Sequence, residues 1–118
     1  MNITRILVSI ALAATVAACG SAATPKPAPV ETTLEANEFA FTPKEIKAVV
    51  GSTVKITVTN KGTLEHDFTI ESLNVKVAAA VGKTVSGTTG VLAAGTYDFF
   101  CSVAGHKEAG MAGKLVVE

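Results

Sequence analysis

The stretch Ser52–Asn60, "STVKITVTN", alternates apolar and polar side chains along its length. Val54, Ile56 and Val58 fall on one side of an extended chain, whereas Lys55 and the threonines fall on the other. This period of two predicts a β-strand with one buried and one solvated face, which is typical of antiparallel sheets. Such a strand requires others in the chain that pack against its apolar face.

Comparable short runs occur on both sides of this strand. Downstream, "NKG" predicts a turn, and His66–Glu71, "HDFTIE", alternates again. Further candidate strands are Thr32–Glu38, Glu45–Val50, Lys83–Thr88, Gly95–Phe100 and Gly113–Val117. Residues 73–82, "LNVKVAAAVG", are expected to form a loop or a single helical turn. Gly87 and Gly90 indicate an edge strand or a bulge. About seven to eight short strands with Gly, Pro and Asn between them predict an all-β sandwich or barrel.

Residues 1–18 have the layout of a secretory signal peptide, with Arg5 in a polar head and the apolar run "ILVSIALAATVAA" after it. That run is shorter than the about 20 residues of a membrane-spanning helix, so we expect export and not a retained anchor helix. The segment "VAACGS" resembles the bacterial lipobox, which implies that Cys19 is lipidated and begins the mature chain. The alternative is an unmodified Cys19 behind an ordinary signal peptide.

Residues 19–30, "CGSAATPKPAPV", are rich in Ala and Pro and predict an extended tether. Residues 31–118 then form one domain, long enough for a two-sheet core. Loss of Arg5 with the signal leaves nine Lys against ten acidic residues, and no basic block is present. This balance excludes nucleic acid as a partner. We expect a monomer on the periplasmic side or the cell surface, held to the lipid bilayer through Cys19.

Four side chains with metal-binding atoms stand out by their spacing. Cys101, His106 and Met111 lie within eleven residues, and His66 begins the strand "HDFTIE". If one strand ends at Cys101 and the next begins near Gly113, the three side chains of the intervening loop can point into one pocket. His66 can meet that loop from a neighbouring strand. Taken singly, each has an ordinary explanation, as a buried thiol, a local hydrogen-bonding imidazole or a core thioether.

Taken together, the four supply one thiolate, two imidazoles and one thioether, the His₂Cys set with an axial Met that binds copper in electron-transfer sites. Zinc accepts His₂Cys but has little use for a thioether, so Met111 favours copper. If Cys19 is lipidated, Cys101 has no disulfide partner in the chain, although cysteines of exported proteins are usually paired. We therefore expect one copper ion, Cu(I) or Cu(II), per chain.

The sequence "YDFFCSVAGHKEAGM", with "AGKLVVE" after it and "EHDFTIE" upstream, resembles the cupredoxins of the plastocyanin, azurin and auracyanin type. The resemblance covers the chain from about residue 31 onward. It implies a Greek-key β-sandwich in which His66, Cys101, His106 and Met111 bind one copper ion. Only thirty-four residues separate His66 from Cys101, so we expect a compact, plastocyanin-like body. Asp67 follows the first ligand where the family often has Asn.

The same resemblance suggests tasks for residues beside these four. Ser102 is expected to bridge its own segment to the one around His66. Phe68 and Phe100 are expected mainly to fill the core while keeping the site dry.

The function implied is the transfer of single electrons between redox proteins outside the cytoplasm, without enzymatic activity. Both histidines are already used, which leaves no ligands for the further copper centres of an oxidase or a nitrite reductase. A flat docking patch around His106 is expected from small or apolar neighbours: Val103, Ala104, Gly105, Gly110, Met111 and Ala112. Two alternatives are a lipoprotein that delivers copper, although the Met-rich or His-rich tracts of metal carriers are absent, and a metal-free interaction module.

Overall fold

The computed structural model describes Gly20 and residues 23–118 of the chain. The predicted signal peptide and the predicted lipidation site Cys19 lie outside the described residues, so both stay predictions. Within the described part of the chain, no helix has the length and apolar character needed to cross a bilayer.

Nine β-strands and one 3₁₀ helix make up the regular structure of residues 23–118. In chain order they are β1 (Val30–Asn37), β2 (Ala40–Thr42), β3 (Glu45–Ala48), β4 (Val54–Asn60), β5 (His66–Ile70), η1 (Glu71–Leu73), β6 (Val75–Ala79), β7 (Thr84–Thr88), β8 (Gly95–Phe100) and β9 (Ala112–Val117). One sheet has the order β2-β1-β4-β7, and the other has the order β3-β9-β8-β5-β6. The predicted two-sheet β-sandwich is therefore confirmed.

The sheets are mixed, whereas the sequence pattern suggests antiparallel ones. β1 runs parallel to β4, and β3 runs parallel to β9, while the other neighbouring strands are antiparallel. The difference arises because the period of two reports only which face of a strand is buried, and both kinds of pairing share it. The direction of a neighbouring strand depends on the connection that leads to it.

The core lies between the sheets and is built from the apolar sides of their strands. Val54, Ile56 and Val58 of β4 are fully buried, as their alternation predicts. Three phenylalanine rings, those of Phe41, Phe68 and Phe99, pack against one another with centroids 4.7–6.0 Å apart. Each fully buried side chain of this size contributes about 1.5–3 kcal/mol relative to exposure.

Residues 73–82, expected to form a loop or a single helical turn, contain more structure than that. The helical turn η1 lies before this segment and shares only Leu73 with it, and it ends at Asn74 in the left-handed conformation (φ 52°). β6 then pairs antiparallel with β5, from His66 opposite Ala79 to Ile70 opposite Val75. The prediction was wrong about β6 because its alanines have low strand propensity, and pairing with β5 overrides it.

The edge position predicted from Gly87 is confirmed, since β7 lies at one edge of its sheet. A Cβ atom at Gly87 would collide with the side chain of Val77 in the other sheet. The glycine therefore lets the two sheets approach closely at this edge.

β5 and β8 bring the site residues to one end of the sandwich. The two strands are antiparallel neighbours, so the beginning of β5 and the end of β8 lie at the same end of the sheet. His66 is the first residue of β5, and Cys101 directly follows β8. The topology alone thus brings an imidazole and a thiol of distant sequence position together.

We expect Gly113→Ala to lower the free energy of unfolding by roughly 1–3 kcal/mol, the usual cost of overpacking. The new Cβ would fall on the carbonyl oxygen of Lys44 and on the ring of Phe99. That carbonyl accepts a hydrogen bond from the amide of Lys114 (2.9 Å), so it is not free to move away. Urea denaturation monitored by circular dichroism measures the change.

Gly90→Ala is the matched control for this substitution. A Cβ atom added at Gly90 would have no described neighbour within 4 Å, so the same methyl group should leave stability nearly unchanged. Equal stability of the two variants would contradict the close packing of β8, β9 and the segment before β3.

Candidate metal centre

The segment from Cys101 to Met111 forms a closed loop between β8 and β9. The amide of Cys101 donates a hydrogen bond to the carbonyl of Met111 (3.0 Å), and the amide of Met111 donates to the carbonyl of His106 (3.0 Å). Gly105 (φ 82°) and Gly110 (φ 103°) adopt left-handed conformations that most other residues avoid. The backbone therefore holds all three site residues of this segment in fixed relative positions.

Three donor atoms meet at the end of the sandwich. Nδ1 of His66 lies 3.2 Å from Nδ1 of His106. The sulfur of Cys101 lies 3.4 Å from Nδ1 of His106 and 4.0 Å from Nδ1 of His66. All three residues are buried. Two imidazoles and one thiol, carried by two separate segments of the chain, thus converge on one point.

The spacing of these atoms fits a single metal ion. Bond lengths of about 2.0–2.1 Å to nitrogen and about 2.3 Å to sulfur, as zinc has in proteins, hold such ligand atoms roughly 3.3–3.8 Å apart. The observed separations of 3.2, 3.4 and 4.0 Å bracket that range. Burial, followed by the neighbouring imidazole of His106, lowers the pKa of His66. A neutral imidazole with a free lone pair is the form that binds a metal.

Met111 is connected to the same site by backbone hydrogen bonds with Cys101 and His106 and by its position in the core. Its side chain is fully buried in the apolar cluster that also contains Cys101. A set of one thioether, two imidazoles and one thiol is the donor chemistry of copper, because soft sulfur ligands select copper over harder ions. The arrangement of the four residues therefore fits the predicted cofactor, although the ligand role of each residue stays a prediction.

Asp67, the second residue of β5, joins the segment around His66 to the segment that begins at Cys101. Its amide donates a hydrogen bond to the sulfur of Cys101 (3.4 Å). Its carboxylate accepts hydrogen bonds from the amide (2.8 Å) and hydroxyl (2.7 Å) of Ser102, and from the hydroxyl of Thr69 (2.8 Å). The side-chain nitrogen Nζ of Lys76 lies 3.6 Å from the carboxylate oxygen Oδ2 of Asp67. The expected bridge from Ser102 to the His66 segment is present, with Asp67 as its acceptor.

Asp67 is ionised in this setting. Burial by itself raises the pKa of its carboxyl, but the hydrogen bonds from Ser102 and Thr69 and the charge of Lys76 hold that pKa below the usual value. The site therefore has a negative charge close to the cysteine sulfur, where an Asn would be neutral.

The turn between β1 and β2 covers the site, and sequence reasoning missed it. The ring of Phe39 meets the ring of His106 edge-on, with centroids 5.2 Å apart, and it remains 43% exposed. The carboxylate of Glu38 reaches the loop that leads into β5, at Thr63 and Leu64. No local pattern marks these residues, because only the folded sheet brings the turn to the opposite loops.

The surface around His106 differs in part from the expected docking patch. Ala104, Gly105 and Gly110 are exposed, as a patch requires, but Met111 is fully buried and contributes no surface. His106 itself is 5% exposed, so Phe39 presents the larger apolar surface at this end of the domain.

Comparison with known proteins gives one family and several relatives. A family model described as "Cupredoxin-like domain" matches residues 7–117. Auracyanin A from Chloroflexus aurantiacus, described as a "blue" copper protein, superposes with a TM-score of 0.67 at 27% identity, over 76% of this chain and 99% of that one. A chain from a heme-copper terminal oxidase dimer superposes with a TM-score of 0.62 at 30% identity, over 75% of this chain and 65% of that one.

A further relative has a different description, which refers to copper resistance. The copper-resistant cuproprotein CopI of Rubrivivax gelatinosus is 30% identical, over 65% of this chain. The present chain spans 59% of the length of that protein.

We expect Asp67→Ala to lower the free energy of unfolding by roughly 2–3 kcal/mol, since hydrogen bonds to charged groups contribute about 1.5–3 kcal/mol each and are not additive. Asp67→Asn should cost less, because an amide oxygen still accepts from Ser102. Urea denaturation of the metal-free protein measures both changes.

Asp98→Ala removes an exposed carboxylate from β8 and serves as the control. Its stability should stay within about 0.5 kcal/mol of the parent, as for most surface substitutions. If Asp67→Ala were equally harmless, the bridge between β5 and the Cys101 segment would not contribute to the fold.

Proposed function

Because this chain belongs to the cupredoxin-like family, we propose that it is a mononuclear blue-copper protein that carries single electrons between redox partners outside the cytoplasm. The observation that carries the proposal is the meeting of two imidazole nitrogens and one cysteine sulfur within 4.8 Å of one another in a buried position. The ligands in this proposal are His66, Cys101, His106 and Met111. Copper fits this donor set better than zinc, because of the thioether.

Bound copper supplies a one-electron couple, Cu(II)/Cu(I). The residues of the chain contribute a donor set that changes little when the electron enters or leaves. Hydrogen bonds close the 101–111 loop, and Asp67 fixes that loop to β5. A site held in this way needs little rearrangement in either oxidation state, which suits rapid transfer.

The burial of the donor atoms supports a carrier over an enzyme. His66, Cys101 and Met111 are fully buried, so the described residues leave no open face on which a substrate would reach the metal. His106 is 5% exposed, and its ring contacts the ring of Phe39, which is 43% exposed. We place electron exchange here, through a small docking surface formed by Phe39, Ala104 and Gly105 with a redox protein.

Export, lipidation of Cys19 and a tether of residues 19–30 complete the proposal, since they would hold the domain close to membrane-bound partners.

A second function, copper handling, is favoured by the similarity to the copper-resistant cuproprotein CopI. In that case the chain would bind copper in order to store or deliver it. The two functions differ in how firmly the metal is held. An electron carrier should keep its copper through many redox cycles, whereas a delivery protein should release Cu(I) to a chelator of moderate affinity.

Cys101→Ser should abolish the intense visible absorption that we expect when residues 23–118 are loaded with Cu(II), because that absorption requires a copper–thiolate bond. Visible and electron paramagnetic resonance spectra of both proteins provide the measurement. The unaltered protein treated with Zn(II) is the colourless control. A copper complex of the parent without an intense visible band would contradict the blue-copper proposal.

Ala104→Glu should slow electron self-exchange between copies of the protein by about tenfold, since two like charges would meet across the docking surface. The rate is measured from NMR line broadening in mixtures of the oxidised and reduced protein. Ala94→Glu adds the same charge just before β8, far along the strand from the site, and should leave the rate near that of the parent. Equal slowing by both substitutions would exclude a docking surface at residue 104.

A further inference from the structure

The imidazole of His66 has a second nitrogen that the donor cluster does not use. Nδ1 faces the cluster, and Nε2 lies on the other side of the ring, buried and without a hydrogen-bond partner among the described residues. The carboxylate oxygen Oε1 of Glu38 lies 3.6 Å from it, slightly beyond hydrogen-bond length. A buried N–H group without an acceptor costs about 1–3 kcal/mol, so this nitrogen requires a partner.

The carboxylate of Glu38 is held in place by the loop that leads into β5. Its Oε1 accepts hydrogen bonds from the amides of Thr63 and Leu64, and from the hydroxyl of Thr63 (3.3 Å). The bond from the Thr63 amide is the main reason why the pKa of Glu38 lies below its usual value, even though the side chain is exposed. A fixed negative charge therefore stands beside the buried ring nitrogen.

Gly62 provides the space in which the carboxylate and the ring meet. A Cβ atom there would collide with the carboxyl group of Glu38 and would lie 2.9 Å from Nε2 of His66. Asn60 fixes this part of the loop, because its side chain accepts from the amide of Gly62 (2.9 Å) and donates to the carbonyl of Leu64 (2.7 Å). The absence of a side chain at Gly62 is thus required for the contact.

We propose that Glu38 is a positioning residue of the copper site, whose carboxylate accepts a hydrogen bond from Nε2–H of His66. The inference rests on the copper site of the proposed function. A proton held on Nε2 leaves Nδ1 unprotonated toward the metal, so Glu38 selects the tautomer that binds. Carboxylate partners of this kind also make the imidazole a stronger donor and tighten metal binding.

The negative charge has a further consequence for the redox couple. A more strongly donating imidazole stabilises the more highly charged Cu(II) more than Cu(I). Glu38 therefore lowers the reduction potential, although it binds neither the metal nor an electron-transfer partner in this proposal.

The test uses the copper-loaded protein with Glu38→Ala, Glu38→Gln and Gly62→Ala. Glu38→Ala should release copper to a chelator about 10–100-fold faster, the usual effect of losing such a partner. Glu38→Gln keeps an acceptor oxygen but loses the charge, so it should show a smaller loss and a shift to higher potential. Gly62→Ala should resemble Glu38→Ala, because it retains the carboxylate but displaces it.

Glu35→Gln is the matched control, since it removes the same charge from an exposed position on β1. Copper release and potential should be unchanged in this variant. If both properties were also unchanged in Glu38→Ala, Glu38 would serve only to hold the Thr63–Leu64 loop, and the inference would be overturned.

A measurement without metal separates this inference from the proposed function. Proton–nitrogen correlation spectra of the metal-free protein should show His66 protonated on Nε2, with a mixture of tautomers in Glu38→Ala. If this result were obtained but no copper were bound, the proposed function would fail while the pairing of Glu38 with His66 would stand. The same tautomer mixture in the parent and in Glu38→Ala would overturn the pairing itself.

Discussion

The positions of the donor residues His66 and Cys101 depend on where the pairing between β5 and β8 ends. The two strands share one backbone pairing, between Thr69 and Phe100, and beyond it the ladder stops. His66 and Cys101 lie past that point, on the side of the pairing toward the end of the sandwich. Asp67 connects the two segments there, because its amide donates a hydrogen bond to the sulfur of Cys101 and its carboxylate accepts hydrogen bonds from Ser102. A short ladder and a polar bridge thus hold the two donor residues beside each other in fixed positions.

Two carboxylate residues with different roles lie beside the donor residues. Asp67 is tied to the cysteine segment and has Lys76 within 3.6 Å, so its charge is partly balanced. The carboxylate of Glu38 is bound by backbone amides and a hydroxyl, which stabilise its charge without cancelling it. The surroundings of the donor atoms therefore carry more negative charge than those of a site with Asn after its first histidine. This charge favours the more positive oxidation state of a bound metal.

The local sequence predicts which residues meet at this end of the sandwich, but it does not predict Glu38 and Phe39 beside them. The alternation in β4 and the spacing of Cys101, His106 and Met111 are local patterns, and local patterns are what a single sequence displays. β2 has three residues, too few to show a period, and β6 becomes a strand through its pairing with β5. Glu38 and Phe39 act on residues that are far along the chain, so no spacing rule links them to the site. Prediction fails where tertiary contacts alone decide the role of a residue.

Phe39 has a left-handed backbone conformation (φ 61°) in the turn between β1 and β2. The loop that carries Cys101, His106 and Met111 is near the C-terminus, but the most exposed aromatic surface at the same end belongs to an N-terminal hairpin. A bulky residue in this conformation costs about 1–2 kcal/mol, and here it directs the ring edge-on against His106. Substitution at residue 39 would change the surface that a partner meets while leaving every predicted metal ligand intact. Adjacent residues of one hairpin thus face the two histidines separately, with Glu38 beside the ring of His66 and Phe39 against the ring of His106.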